Sequence, residues 1–393
     1  MRTSVGEIMQ RWWQNNQSPF NEQLTAERTP IIQINGSYDI SELRDAIIEE
    51  GTAEVSSLDS EYKLQINNAG DKAAMTSASR GRYTPGCASE VGVGLRFQEE
   101  ITGDTELYWG YFDLDEDNNI YDGVVFGQDI DGTFVALYNE GVEEYKEYQK
   151  NWNINRNVDL TEGNVFQIRF TYYGYGLIEW RVLSSETGSS KQTVKTLHTY
   201  RPQGIPALSN SNLRVGVMIY STNDTNQYSA YLSGRQFSII GKANFKQRSV
   251  PHLVEEVSVP TTDYVPLMTF RKKADSRPVP ISVQEHSIKT DNDLYLLWVA
   301  RVDLDDDDNW ITPTGATASE TALEVNDDAT TADLTNALKL NQYQALGGNR
   351  NVRSLANDIN LTDIPDEYNI CLLAKASNQT ATVTAIGKMT EER

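Results

Sequence analysis

From residue 52 to about residue 245, apolar and polar positions alternate with a period of two, in runs such as EYKLQI (61–66), GVGLRF (92–97), LYWGYF (107–112), VFQIRF (165–170) and LRVGVMIY (213–220). Alternation of this kind marks strands that bury one face, and the Gly, Asn and Asp clusters between the runs supply the turns. No helical period intervenes, so the region predicts a mainly β fold, an antiparallel β-sandwich or jelly roll. The stretch FTYYGYGLIEWRV (170–182) keeps its parity across two glycines. Phe170, Tyr172, Gly174, Gly176, Ile178, Trp180 and Val182 share a core face, and Tyr173 and Tyr175 point outward. It reads as one long bent strand, with a tight hairpin centred on Gly174 as the alternative. Tyr173 and Tyr175 are then cross-strand packing or interface anchors.

The alternation breaks over 250–266, where Pro251, Pro260 and Pro266 predict an extended linker. It resumes in a second, smaller β-sandwich over 267–393, in which Leu294, Leu296, Trp298, Ala300 and Val302 fall on one face. YNICLLAKA and TATVTAIGK, on either side of Ser377, Asn378 and Gln379, predict a hairpin, and the segment 330–348 is the one place in this half with helical character. At the other end, residues 1–51 form a separate segment ahead of the large sandwich of 52–249. Val5, Ile8, Met9 and Trp12 follow helical spacing, which predicts a short amphipathic helix ending at Trp12 and Trp13. Those two indoles either pack back on their own domain or anchor the chain to a partner. A second short helix is predicted over Ser41 to Glu50, closed by Gly51.

Charge changes the picture of partners. Fifty-six acidic against thirty-four basic residues give a formal charge of −22, which excludes a phosphate-backbone footprint and fits a surface kept hydrated in concentrated salt. No run approaches the length of a membrane span, so nucleic acid and membrane insertion both fall away as partners. Cys87 and Cys371, far apart in the chain, read as buried free thiols.

Candidate chemistry is sparse. The three histidines are scattered, no nucleophile motif is present, and the many neighbouring carboxylates of so acidic a chain single out no acid and nucleophile, so the expectation is a protein without enzymatic activity or cofactor. Two acidic clusters place oxygen ligands at alternate positions, as a structural Ca²⁺ or Mg²⁺ requires: Asp113, Asp115, Asp117 and Asn119, and Asp305 with Asp307. The first lacks the glycine and closing glutamate of an EF-hand, and a plain acidic turn is the preferred reading of both.

Several segments in order carry a resemblance. They are Arg80-Gly81-Arg82-Tyr83, Tyr108 to Asp113, Asp122 to Gly127, Asp131 to Val135, Asn151-Trp152-Asn153, Phe166 to Trp180 and Gly234 to Gly241. Together they resemble a family of β-rich virion structural proteins of tailed viruses of halophilic archaea, and more loosely tailed-phage structural proteins. The likeness covers about residues 80 to 245, is weaker from Pro266 to Lys273 and beyond, and departs at INRNV (154–158). What it implies is a capsid turret, vertex spike or tail-baseplate or fibre component, made in the host cytoplasm and located in the virion. It would assemble with copies of itself and with other virion proteins, and contribute to attachment to a host surface glycan or glycoprotein. The alternative is a carbohydrate-binding β-sandwich that is no part of a virion.

Overall fold

The computed structural model describes residues 28–84, 86–97, 99, 101–154, 158–171, 174–185, 192–204, 206–241, 247–273, 281–347, 350–355 and 368–392. The predicted helix around Val5 to Trp12 lies outside them. The chain divides into two units, one on each side of the Asn244–Phe245 boundary.

The first unit contains fifteen strands among its described residues: β1 Arg28–Asn35, β2 Asp45–Glu50, β3 Glu54–Leu58, β4 Glu61–Ile66, β5 Lys72–Ser77, β6 Ala88–Phe97, β7 Thr105–Leu114, β8 Ile120–Asp129, β9 Gly132–Asn139, β10 Val142–Tyr148, β11 Asn164–Phe170, β12 Ile178–Ser185, β13 Gln192–Tyr200, β14 Arg214–Ser221 and β15 Tyr228–Ile240. They form two antiparallel sheets. One runs β13-β12-β11-β6-β15-β4-β3, with β1 also paired to β15, and the other runs β10-β9-β8-β7-β14-β5-β2. The expected sandwich is therefore present, built by the alternation that predicts it.

Between the two sheets lies an aromatic core. Trp109 stacks on Phe126 at 5.6 Å and meets Phe166 at 5.0 Å, Tyr111 packs on Phe170 and Phe237, and Trp180 donates its indole N–H to the Val125 carbonyl of the opposite sheet at 2.9 Å. These aromatic pairs add to a large apolar burial that drives the sheets together. The second sheet is buried on its other face too, through Tyr108, Phe112, Val125, Phe134, Ala136 and Met218.

The predicted helix over 41–50 is instead a turn followed by β2. The Ser41 carbonyl accepts from the amides of Arg44 and Asp45, after which Asp45–Glu50 pairs with β5. Ile47 and Ile48 lie opposite Met75 and Ala74 in a sheet buried on both faces, where two consecutive apolar residues suit a strand. Residues 28–50 are thus part of the sandwich.

FTYYGYGLIEWRV folds as the hairpin, correcting the bent-strand expectation. Phe166 pairs with Val182, Ile168 with Trp180 and Phe170 with Ile178. Both arms keep one parity because the numbers of each opposed pair sum to an even value, so alternation alone cannot separate a hairpin from a continuous strand. The glycines belong to the connecting loop. Gly174 has φ +77° and its carbonyl accepts from Ala207 N at 2.8 Å, while a Cβ on Gly176 would lie 1.2 Å from the Thr171 carbonyl oxygen.

The second unit holds β16 Gln247–Val259, β17 Val265–Lys272, β18 Ile281–Thr290, β19 Leu294–Ala300, β20 Asp303–Leu304, β21 Leu323–Asn326, β22 Ala332–Asp333, β23 Leu338–Ala345, β24 Arg350–Leu355, β25 Ile370–Ala376 and β26 Ala381–Glu392. A sheet β16-β26-β18-β24 faces a sheet β21-β17-β25-β19-β23, and a separate two-stranded β20-β22 ladder packs Leu304 and Ala332 against Leu297, Val299, Cys371 and Leu373 of the second sheet. Leu294, Leu296, Trp298, Ala300 and Val302 are all buried.

Three expectations for this half are corrected. The 250–266 linker is largely β16, and Pro251 is accommodated because β16, among the described residues, is an edge strand paired with β26 alone. The Ser377–Gln379 turn joins strands of different sheets, since β25 pairs with β17 and β19 while β26 pairs with β16 and β18. The 330–348 segment contributes β22 and β23, the latter laid against β19.

Candidate functional site

Register decides which side chains meet on the outward face of the eight-stranded sheet. Val91, Val93, Leu95, Phe166, Ile168 and Phe170 fill the core, so Glu90, Gly92, Gly94, Val165, Gln167 and Arg169 face out. Three rows then cross the strands. The middle row reads Gln33, Gln236, Gly92, Gln167, Arg181, from β1 through β15, β6 and β11 to β12. The next reads Asn35, Gly234, Gly94, Val165, Leu183, and on the other side Ser238, Glu90, Arg169 and Glu179 form an ionic row. Opposed residues of adjacent strands stand about 5 Å apart, close enough for each row to act as one surface.

The glycines sink the floor of this face. A groove of about 510 Å³ opens over Gly92 and Gly94, with Gln33, Asn35, Gln167, Gln236 and Ser233 around it and Val165 as its exposed apolar wall. A Cβ on Gly92 would lie 2.8 Å from Gln236 Cγ, and one on Gly94 would lie 2.3 Å from Ser233 Oγ, so these side chains lean across the space that the glycines leave. Gln236 is fixed by accepting from Ser238 Oγ at 2.7 Å and donating to Glu90 Oε1 at 3.4 Å. Gln167 Oε1 is closed off from solvent without a hydrogen-bond partner. Beyond Gly94, Tyr231 lies under the Arg96 guanidinium at 3.7 Å, and Arg96 is held by Glu61 at 2.6 Å.

Behind the floor, the core side of β15 carries a charge. Arg235 pairs with Asp45 from the opposite sheet, both side chains fully buried, and burial pushes the guanidinium pKa down from its ordinary value while Asp45 opposes the shift. Asp45 also accepts from Ser41 N at 3.0 Å, which ties the turn before β2 to the sandwich.

The acidic clusters are used by the chain itself. Asp113 faces Arg80 and Arg214, and Asp115 Oδ1 accepts from the amides of Asp117 at 3.0 Å and Asn119 at 2.8 Å. Lys72 Nζ takes the carbonyls of Asp117 at 3.1 Å and Asn118 at 3.0 Å, putting an ammonium where a bound cation would compete. Asp305 accepts from the Thr330 hydroxyl and from the Thr330 and Thr331 amides, which hold its carboxyl down at about 2. The Asp307 carbonyl accepts from the Trp310 indole at 2.5 Å. Among the described residues no three His, Cys, Asp or Glu side chains come together as metal ligands.

Of the expected anchors, Trp12, Trp13 and Tyr173 lie outside the described residues. Tyr175 stands about half exposed in the loop between β11 and β12 and does not line the groove. Cys371 is buried, which pushes its thiol up to about 12, and Cys87 is half-buried. The groove residues themselves went unremarked in the sequence. Their signal was present: Gly92 and Gly94 alternate with core valines, and Gln167 and Gln236 each stand on the polar parity of a core strand.

No family model and no curated protein matches the chain. Similar solved structures include the Emp46p carbohydrate recognition domain in its metal-free form, at 10% identity and TM-score 0.34 over 53% of this chain and 99% of that one. The exoplasmic/lumenal domain of VIP36, in its Ca²⁺/Man3GlcNAc-bound form, has 10% identity and TM-score 0.34 over 53% of this chain and 90% of that one. The Bacillus licheniformis β-glucanase has 11% identity and TM-score 0.37 over 54% of this chain and 99% of that one. At such identities no ligand or activity carries over. The virion role and virion location expected from the sequence are corrected: the similar solved structures named above are carbohydrate-recognition domains and a glucanase.

Proposed function

We propose that the first unit is a carbohydrate-binding β-sandwich that holds an oligosaccharide in the groove of its eight-stranded sheet. The supporting observation is the lining: four amide side chains, Gln33, Asn35, Gln167 and Gln236, and the Ser233 hydroxyl ring a glycine floor. A primary amide both donates and accepts, which matches sugar hydroxyls that do the same. The glycines let Gln236 and Ser233 lie low across the floor, where their polar groups face the groove, and Val165 offers an apolar wall to the C–H face of a sugar.

The reading is of binding without bond cleavage. Glycoside hydrolysis by the common route takes two carboxyl groups flanking the scissile bond, and among the described residues no carboxylate lines the groove. The adjacent Glu90 is almost fully buried and engaged by Arg28 at 2.6 Å.

An oligosaccharide array probed with the full chain and with Gly92→Val tests it. The expected result is retention of a defined set of glycans by the parent and loss of that set in the variant, whose valine fills the floor and displaces Gln236. An array without retained glycans, or one on which both proteins bind alike, contradicts the proposal.

A further inference from the structure

At the end of the amide row stands Arg181, directly opposite Gln167 on the neighbouring strand and on the same outward face. Its side chain is 18% exposed, and the nearest carboxylate oxygen among the described residues is Glu90 Oε2 at 3.9 Å, beyond hydrogen-bond reach. Glu90 is already engaged, by Arg28 at 2.6 Å and Gln236 at 3.4 Å. Among the described residues Arg181 donates no hydrogen bond, and its Nε is closed off from solvent with no acceptor. The adjacent Gln167 Oε1 is likewise without a donor. Among the described residues three guanidinium groups, Arg28, Arg169 and Arg181, gather around two carboxylates, Glu90 and Glu179, on a chain of net charge −22.

We propose that the groove ends in an anion subsite at Arg181, and that its ligand is an acidic oligosaccharide whose sugar carboxylate is received by this guanidinium. The inference rests on the groove being the glycan site. A guanidinium presents a planar fork of donors that fits a carboxylate through two parallel hydrogen bonds, and such charge-assisted bonds are about twice as strong as neutral ones. Gln167, one strand away, lines the groove beside this guanidinium. The neutral amides hold the rest of the chain, and Arg181 chooses its acidic member.

The test is calorimetric titration of the full chain with oligomers of galacturonate, glucuronate and mannuronate, each beside its methyl ester, which keeps the ring and removes the charge. The parent is expected to bind at least one uronate roughly tenfold more tightly than its ester. Arg181→Gln should bring the two to within about twofold with an unchanged unfolding midpoint, and Arg181→Lys, which keeps the charge and loses the fork, should fall between. Esters bound as tightly as acids, or a preference that survives in Arg181→Gln, overturns the anion subsite. In that case loss of binding in Gly92→Val would still support the groove. If no oligomer or ester binds, the groove reading falls with it.

Discussion

The two faces of the eight-stranded sheet are made from the same strands and share almost no chemistry. On β6 and β11 the inward positions are Val91, Val93, Leu95, Phe166, Ile168 and Phe170, all buried, while the outward positions are Glu90, Gly92, Gly94, Val165, Gln167 and Arg169. The inner face is filled to exclude water. The outer face carries no side chain of its own at two glycines, across which Gln236 and Ser233 lie, and is ringed with groups that hydrogen-bond. A residue on a strand serves one face only, so register determines both the core and the site, and a slip of one residue would destroy both together. Arg235 marks the exception, a charge on the inner parity that stands because Asp45 crosses from the other sheet to meet it.

That contrast can be broken hardest from the inside. Trp180→Ala removes a fully buried indole and its bond to the Val125 carbonyl, and is expected to cost about 4 kcal/mol in chemical denaturation. Asp45→Ala leaves Arg235 buried without its partner, with an expected loss of about 3 kcal/mol. Asp45→Leu with Arg235→Met should recover most of that loss, because a well-packed apolar pair replaces the ions without an unpaired charge. Failure of the double variant to recover would show that the pair does more than satisfy itself.

A smaller effect comes from pH. His198 and His252 are buried, and desolvation lowers the pKa of both, against the pull of Glu147 and Asp327 respectively. In each, Nδ1 accepts from a backbone amide, that of Asn153 or Thr314, at 3.3 Å, which leaves Nε2 to carry the proton toward Tyr145 or Asp327. The folded state therefore takes up protons less readily than the unfolded one. Stability should be complete above a pH of about 6.5 and fall below it, by at most about 1.4 kcal/mol per pH unit for each histidine. Unfolding midpoints between pH 8 and 5.5 check this, and His198→Gln and His252→Gln should flatten the profile. A smaller change in stability, about 1 kcal/mol, is expected for Gly92→Val, whose Cβ meets Gln236 Cγ at 2.8 Å and displaces a side chain held by Ser238 and Glu90.

Much of this architecture was legible from alternation alone, including the mainly β fold, the two sandwiches and the core parity of β11 and β12. What misled was local. The prolines at 251 and 266 read as a break, yet Pro251 lies on an edge strand and Pro266 at a register shift, places where a missing N–H costs little. The hairpin at Gly174 was hidden because its even register preserves parity, and β2 passed for a helix because a turn at Ser41 precedes two consecutive isoleucines. Neither Asp45–Arg235 nor the Gln33-to-Arg181 row could be seen in the sequence, since each depends on which distant strands become neighbours.

Backbone-amide chemical-shift mapping, with the oligosaccharide that binds best titrated into the isotope-labelled full chain, tests the account most directly. The largest shifts are predicted at Gln33, Gly92, Gly94, Gln167, Ser233 and Gln236, on one face of one sheet. Shifts concentrated instead at the Asp115–Asn119 turn, in the β11–β12 loop or in the second unit would contradict it.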